Sequence, residues 1–335
     1  MFIIVEGTDA SGKSSLISEI TRQVSELYPS QQISYFHKGR PDEETRRWVL
    51  EEYAIDVSLV NWHASTAIAD RWHWGEVTYA PLKRPHTCDD DFGLLGVSGW
   101  RWVELFLMSR GASQFWLHQP LEVIQKRLSS RGDTFVSPDE LAYILERYTF
   151  CANNAVASLA GELTPREDSS QLIGALAKHV IAVASARAQE AAWLADYPEY
   201  IGPVRPSALL VGDKRNDKSV TVLPFMPVDN NSGDYLMSCL PDPFWKTVGI
   251  INGDDIKGKR LQRLLVKLGE PPVVALGRMA ERSLKISGMG DSDYVVVPHP
   301  QYVRRFHHHD RLEYGNAIER LSKIGKKVVD PWVLP

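Results

Sequence analysis

The chain has 335 residues, of which 44% are hydrophobic and 24% charged, so its composition is that of a globular protein long enough for two domains. No apolar stretch approaches the roughly 18 residues of a membrane span, which excludes an integral membrane protein. The N-terminal apolar run is also too short for a signal peptide and lacks a basic leader. The three cysteines, Cys88, Cys151 and Cys239, are far apart, which predicts free thiols in a reducing cytoplasm rather than a disulfide or zinc framework.

Charge is spread unevenly along the chain, although the formal net charge is only −4. From Arg205 onward there are 20 basic and 15 acidic residues, and before it there are 18 basic and 27 acidic residues. An acidic first part and a basic second part suggest different partners. A solvated surface that binds nothing explains the same excess equally well.

The N-terminal stretch contains a phosphate-binding pattern. An apolar run, 1–5, leads into residues 7–14, which fit G-x-x-x-x-G-K-[ST]. In this pattern glycines let backbone N–H groups turn around phosphate oxygens, while Lys13 reaches the β- and γ-phosphates and the Ser14 hydroxyl binds Mg²⁺. The apolar residues that follow recur at helical spacing, so the loop opens a helix whose N-terminus favours an anion. A glycine-rich turn without a ligand is the alternative.

Two further stretches are predicted to end at the same rim of the sheet. Residues 32–36 alternate like a strand and end in a basic turn that contains Arg40, and a helix is expected over 42–62. Residues 65–69 end in Asp70 and Arg71, which is typical of a buried strand that delivers a charged pair to its carboxyl end. Open α/β sheets bind ligands at this edge, so the pair is a candidate for binding. A buried structural ion pair is the alternative.

The first part of the chain resembles thymidylate kinases and their bacteriophage relatives. The resemblance covers about residues 1–190 and is carried by three motifs in the family's order. These motifs are the loop 6–14, the stretch Asp70-Arg71-Trp72 with Glu76 and Tyr79 further on, and a lid with Arg127, Arg131, Gly132 and Asp133. The sequence departs from the family in having Ala10 where the family usually has Gly, and in having a short lid.

This resemblance implies Mg²⁺- and ATP-dependent phosphoryl transfer to a deoxynucleoside monophosphate, either dTMP or a modified pyrimidine nucleotide. It implies that Asp9 holds the acceptor 3′-hydroxyl and that Arg71 and Arg40 orient the acceptor phosphate. Asp70 is expected to support Mg²⁺, together with Ser14, or to bind the acceptor. The residues expected to bind ATP are Gly7, Thr8, Asp9, Ala10, Ser11, Gly12, Lys13, Ser14 and Ser15.

The remaining roles implied by the resemblance concern the lid and the acceptor pocket. Arg127 and Arg131 are expected to close over the triphosphate, and Trp72 to shape the acceptor pocket, with a plain core role as its alternative. A homodimer is a further expectation, as is the cytoplasm of a bacterium or of a phage-infected cell.

A break in the pattern predicts two domains. After a strand near 162–164 and a long alanine-rich helix over 169–194, the stretch 195–206 contains three prolines and a glycine, and is expected to be a linker. The predicted domains are therefore a P-loop kinase domain, 1–194, with helices on both faces of a parallel sheet, and a smaller α/β domain, 207–335. The fragment from about Arg205 is expected to fold alone.

Strands alternate with helices again in the second domain, which implies another parallel sheet. Strands are predicted over 207–212, 248–252, 272–277 and 294–300, and helices over 232–240, 259–268, 278–286 and 302–323.

This second part resembles the uracil-DNA glycosylase superfamily. The matching positions are Gly212-Asp213, Pro224-Phe225 with Ser232-Gly233, Asn252, and His299-Pro300. The resemblance implies a base pocket in which Phe225 stacks on a flipped-out base, Asn252 reads its edge, His299 stabilises developing charge, and Asp213 lies near the water-activating position. The first loop lacks the family's Pro-Gly, and Gln301 replaces the Ser of the family's H-P-S.

The basic stretch 304–311 follows His299 directly and is a candidate for contacts with DNA phosphates. Its three consecutive histidines do not predict a metal site, since adjacent helical residues point in different directions.

Four functions fit these patterns. The first is a nucleoside monophosphate kinase fused to a domain that binds a base or DNA. The second is a DNA kinase that phosphorylates a hydroxymethylated pyrimidine presented by the second domain. The third is a bifunctional kinase and repair glycosylase. In the fourth, the second domain only binds DNA.

Overall fold

The computed structural model describes residues 1–58, 65–88, 90–131, 136–155, 159–164, 170–213, 223–228, 230–307 and 311–324. The chain divides into two compact units. Unit 1 consists of Met1–Gly96 and Arg110–Ala192, and unit 2 of Val97–Ser109 and Trp193–Pro335. Cys88, Cys151 and Cys239 are free thiols. Among the described helices none combines the length and apolarity that crossing a membrane requires.

Unit 1 contains a five-stranded, wholly parallel sheet in the order β2-β3-β1-β4-β5. The strands are β1, Phe2–Glu6; β2, Gln32–His37; β3, Ser65–Asp70; β4, Ser113–Leu117; and β5, Leu159–Leu163. The three central strands are buried at every residue, because helices cover the sheet, and they therefore have nearly continuous apolar sequences.

The helices of unit 1 are α1, Lys13–Leu27; α2, Arg46–Ser58; α3, His73–Lys83; α5, Leu121–Arg131; α6, Pro138–Asn154; and α7, Ser170–Ala191. Helix α1 buries Leu16, Ile17, Ile20 and Val24, which recur at three- and four-residue spacing, and this face packs with α7 against β1. The start of α6 is fixed by a capping box in which Ser137 and Glu140 bond reciprocally to each other's backbone N–H.

Unit 2 contains a four-stranded parallel sheet in the order β7-β6-β8-β9. Its strands are β6, Ala208–Gly212; β7, Val248–Asn252; β8, Val273–Leu276; and β9, Tyr294–Val297. Its helices are α4, Gly96–Ser109; α8, Ser232–Cys239; α9, Lys259–Lys267; α10, Arg278–Ile286; α11, Pro300–Phe306; and α12, Arg311–Ile324. Only the first residue of α4 falls in unit 1.

The predicted α/β class with two parallel sheets is confirmed. The prediction of a single helix over 302–323 is wrong, because the chain there forms two helices, α11 and α12. Helix α11 ends at Phe306, and His307 is its C-cap. Residues 308–310, two of the three consecutive histidines among them, lie outside the described part. The boundary at 195–206 stays a prediction. The sequence reasoning did not anticipate that α4, which precedes β4 in the chain, groups with unit 2.

Candidate functional site

The phosphate-binding pattern forms a loop between β1 and α1, as predicted. Gly7 has φ +150°, and a Cβ there would lie 2.7 Å from the carbonyl oxygen of Leu117, so only glycine fits. Gly12 is left-handed at the N-cap of α1. Ala10 is also left-handed, with φ +59°, a conformation that glycine adopts at less cost than alanine.

The loop carries several hydroxyl groups. Within the described part, the hydroxyls of Thr8 and Ser11 are buried and have no hydrogen-bond partner. Ser14 and Ser15 are exposed at the first turn of α1. Backbone N–H groups at a helix N-terminus together with unsatisfied hydroxyl donors favour a bound phosphate.

Lys13 lies inside this loop. Its side chain is buried, with only 6% of the residue exposed, and its ammonium donates to the carbonyl of Thr8 at 2.6 Å. Burial, with a smaller effect from the nearby Arg71 guanidinium, lowers the pKa of Lys13 to about 8. The negative charge of a nucleotide phosphate in the loop would stabilise the ammonium form of Lys13 and so raise its pKa again.

Asp9 and Arg71, which were predicted separately to bind the acceptor, meet directly at the loop. Nη2 of Arg71 donates to Oδ1 of Asp9, and its Nε donates to the carbonyl of Gly7 at 3.4 Å. The guanidinium also lies 5.2 Å from the ring centre of Tyr79. Arg71 has φ +60°, a conformation that a non-glycine residue adopts at a cost, which turns its side chain from the end of β3 toward the loop.

Asp70 ends β3 beside the loop. One carboxylate oxygen faces β2, where Oη of Tyr35 lies 3.3 Å and Nδ1 of His37 lies 3.7 Å away. The other, Oδ1, is buried and accepts no hydrogen bond from the described residues. Asp70 is near enough to Lys13 to raise the pKa of that lysine, and an unsatisfied carboxylate oxygen at this place could serve as a ligand of Mg²⁺. No group of three or more acidic, His or Cys ligands occurs among the described residues, and Mg²⁺ at phosphate sites takes most of its ligands from water and phosphate.

Glu6, at the end of β1, is a residue whose importance the sequence reasoning missed. It is fully buried, and its Oε1 accepts from the backbone N–H groups of Trp72 and Trp74 at 2.8 and 3.3 Å. These bonds fix the start of α3 and so the backbone that carries Arg71. Burial raises the pKa of Glu6 to about 7, despite the two backbone donors.

The other predicted residues of unit 1 divide into two groups. Arg127 reaches the loop, since its Nη1 donates to the carbonyl of Ala10 at 3.0 Å. Arg40 lies on the surface and pairs with Glu44 at 2.5 Å, and Arg131 is exposed at the end of α5. The rest of the predicted lid, 132–135, lies outside the described residues.

Trp72 occupies the core rather than an open pocket. The ring is almost completely buried and contacts Phe2 and Tyr53, with centroid distances of 5.5 and 4.5 Å. Its core role, one of the two sequence-based alternatives, accounts for these contacts.

No protein-family model matches the chain, and no curated protein matches it. Solved structures do. The YorR protein of Bacillus subtilis, in complex with phosphorylated GDP, is 21% identical, with 55% of this chain and 96% of that chain covered and a TM-score of 0.44. The deoxyadenosine kinase of M. mycoides with bound dATP is 13% identical, with coverages of 54% and 99% and a TM-score of 0.35. The thymidylate kinase of Ehrlichia chaffeensis is 13% identical, with coverages of 55% and 97% and a TM-score of 0.35. The overlap lies in the N-terminal part of the chain.

The carboxyl edge of the second sheet brings together two of the residues predicted for a base pocket. The ring of Phe225 lies against the backbone at the end of β6, where a Cβ on Gly212 would be 2.1 Å from its Cε2. The same Cβ would be 3.2 Å from Oδ1 of Asn252, which ends β7 and is buried. Phe225 is half-exposed, so one part of the ring remains accessible.

The Phe225 turn is held in an unusual backbone conformation. Phe225 has φ +48°. Gly233 approaches so closely that a Cβ there would be 2.3 Å from the carbonyl oxygen of Phe225. Asn231 donates to the carbonyl of Met226 at 2.8 Å while its side chain also caps α8. A strained, well-anchored aromatic residue at a sheet edge is typical of a binding site.

His299 follows β9 at the same edge. Its Nδ1 accepts from the backbone N–H of Gln301 at 3.2 Å, and its Cβ lies 2.9 Å from the position of a Cβ on Gly277. Burial lowers the pKa of His299, and the carboxylate of Asp213 opposes this shift. At neutral pH the imidazole is therefore mainly neutral, with Nε2 left to donate. Residues 214–222, which follow Asp213, lie outside the described part.

Helix α4 supplies the outer support of the Phe225 turn, which the sequence reasoning missed. Nε1 of Trp102 donates to the carbonyl of Pro224 at 2.9 Å. Four residues earlier, on the same face of the helix, Ser98 bonds to Asp234 in the first turn of α8. Arg101 donates to the carbonyls of Met237 and Leu240 at the other end of α8, at 2.8 and 2.6 Å. The only sequence signal for this role is that 96–109 is apolar nearly all round, as a fully buried helix is.

Proposed function

We propose that the protein transfers the γ-phosphoryl group of ATP, with Mg²⁺, to a deoxynucleoside monophosphate in unit 1, and that unit 2 binds a nucleobase at the carboxyl edge of its sheet. The observation that carries the kinase assignment is the meeting of Lys13, Asp9, Arg71 and Arg127 at one glycine-rich loop. Phosphoryl transfer depends on positioning and on neutralising the moving charge, and this arrangement provides three cations and one carboxylate for it.

Each group has a distinct task under this proposal. The loop N–H groups and Lys13 hold the triphosphate, and Arg127 approaches it from α5. Asp9 accepts a hydrogen bond from an acceptor hydroxyl, and Arg71 is placed to bind the acceptor phosphate. Ser14 and Asp70 would hold Mg²⁺, which neutralises charge between the β- and γ-phosphates when bound.

The base-binding part of the proposal is supported by Phe225, Asn252 and His299. An accessible ring supplies stacking, an amide supplies one donor and one acceptor for the edge of a base, and a neutral imidazole supplies a donor. Hydrolysis of a glycosidic bond is not part of the proposal, since Gln301 and the missing Pro-Gly depart from the catalytic pattern of the superfamily.

A second candidate function follows from the base pocket that is proposed for unit 2. A base in DNA that carries a hydroxyl group, such as a hydroxymethylated pyrimidine, would be a phosphoryl acceptor that unit 2 recognises. The pocket favours this candidate, whereas the Asp9 and Arg71 pair favours a mononucleotide.

An assay of phosphoryl transfer from radiolabelled ATP distinguishes the two candidate functions. The native protein is offered each deoxynucleoside monophosphate, including 5-hydroxymethyl-dUMP, and in parallel DNA that contains 5-hydroxymethyluracil. We expect a labelled diphosphate product. Labelled DNA with no labelled mononucleotide would establish the second candidate instead, and label in neither product, with a folded protein, would refute both.

A further inference from the structure

Helix α11 presents aromatic rings to solvent beside the carboxyl edge of the second sheet. Tyr302 is 40% exposed and Phe306 is 64% exposed, and their ring centres are 5.0 Å apart. They are four residues apart and so share one face of the helix. The exposed ring of His307 follows, with its centre 5.8 Å from that of Tyr302. We call these three rings the α11 platform.

The face of α11 that carries Pro300 and Val303 is buried in unit 2, so the platform lies on the opposite side of an anchored helix. The N-cap of the helix is His299, whose imidazole is one wall of the proposed base pocket. The platform therefore begins one helical turn from the site at which a single base is proposed to bind.

Cations accompany the rings. Arg305 is exposed, Arg304 is half-exposed, and among the described residues neither makes an ion pair. Arg311, at the start of α12, is also exposed, and its guanidinium lies 5.4 Å from the ring centre of Tyr235. Exposed rings with arginines beside them in the sequence match a single strand of nucleic acid, which presents both base faces and phosphates.

We infer that the α11 platform binds single-stranded nucleic acid, with unpaired bases stacked on Tyr302 and Phe306 and the backbone held by Arg304 and Arg305. A duplex hides the faces of its bases, so the rings offer it nothing beyond the charge contacts. This inference rests on the proposed role of unit 2, because the platform would hold the nucleotides next to the one in the pocket.

The test is fluorescence anisotropy of the full-length protein with labelled oligo(dT) and with a duplex of equal length, from low to moderate salt. We expect tighter binding of the single strand. Phe306→Ala should weaken it by about tenfold, the effect of losing one stacked base, without changing the salt dependence. The double variant R304Q/R305Q should lower the slope of log Kd against log salt by about 1.4, since each phosphate contact on a single strand contributes about 0.7.

The matched control is Ile286→Ala, which truncates a side chain of α10 that is 63% exposed and lies outside the platform; it should bind like the native protein. The inference is overturned if the native protein fails to bind oligo(dT) at low salt, if it prefers the duplex, or if Phe306→Ala binds normally. Phe225→Ala distinguishes the two sites. If only Phe306→Ala weakens binding, the platform is supported and the proposed base pocket is refuted. If only Phe225→Ala weakens binding, the base pocket is supported and the platform is refuted.

Discussion

At the scale of single residues, the buried Lys13 gives the proposed transfer a defined pH limit. With a pKa of about 8, Lys13 is charged at neutral pH and becomes neutral as pH rises through 8, so its attraction for phosphate is lost. We expect kcat/KM for ATP to fall above about pH 8, because this ratio reports the free enzyme. Lys13→Ala should lower the rate by about 10²-fold and remove the inflection. Identical pH profiles for the two proteins would contradict this role.

Arg71 provides the second residue-scale prediction. If its guanidinium binds the acceptor phosphate, Arg71→Ala should raise KM for the monophosphate and lower kcat, while KM for ATP changes little. Steady-state kinetics with each substrate varied in turn measures this split. Arg22→Ala is the control, because Arg22 is an exposed arginine of α1 that pairs with Glu19 and Glu26. An increase confined to KM for ATP would instead assign Arg71 to the donor side.

Glu6 predicts how stability depends on pH. Its folded-state pKa of about 7 lies above the ordinary 4.5, so between these values the native state holds a proton that the unfolded state has released. The contribution of Glu6 to the free energy of unfolding is therefore fully present below about pH 4.5, and it is lost as pH rises to about 7. Glu6→Gln keeps the acceptor oxygen and should remove roughly 3 kcal/mol of this loss in the free energy of unfolding. Denaturant titrations at pH 5 and 8 test it, with the exposed Glu26→Gln as control, and equal losses in all three proteins would rule out Glu6 as the cause.

At the scale of elements, the proposed support of the Phe225 turn by α4 is tested by removing the hydrogen bond between Trp102 and Pro224. Trp102→Phe keeps a ring in place but leaves the buried carbonyl of Pro224 without its donor, which costs about 1–3 kcal/mol. Trp100→Phe is the matched control, because Trp100 is equally buried but points to a different side of the helix. Urea unfolding of both variants gives the difference. If Trp102→Phe is no less stable than Trp100→Phe, the bond to Pro224 does not support the turn.

Most strands of the two sheets were predictable because they are short apolar runs that end at a turn, as 65–70 and 248–252 show, whereas the edge strand at 32–37 was indicated by its alternating pattern. The phosphate loop was equally clear, since its spacing is dictated by the ligand. Other features depend on tertiary structure. The buried face of 96–109 is visible in the sequence, but nothing in its periodicity identifies the helix against which it packs. In the sequence Glu6 is only the last residue of a predicted strand. The fold shows that its carboxylate accepts hydrogen bonds from the backbone at the start of α3.

At the scale of the whole molecule, the placement of α4 changes the expectation for truncated proteins. The fragment 205–335 lacks the helix that bonds to Pro224 and to both ends of α8. We expect it to unfold without a cooperative transition, although it holds all four strands of its sheet. Adding 97–109 through a flexible linker to 193–335 should restore a sharp thermal transition by circular dichroism. A cooperative transition in 205–335 alone would show that α4 is dispensable.

The same placement has a consequence during synthesis. The bonds from Ser98 and Arg101 to α8 join residues 136 to 139 positions apart, so α4 leaves the ribosome long before its partner exists. At ordinary translation speeds, the wait is on the order of ten seconds or more. Throughout that interval the nascent first half carries a tryptophan-rich helix that has nothing of unit 2 to cover it. Unit 2 therefore cannot bury α4 before α8 has been made, and the nascent chain should depend on chaperones until then.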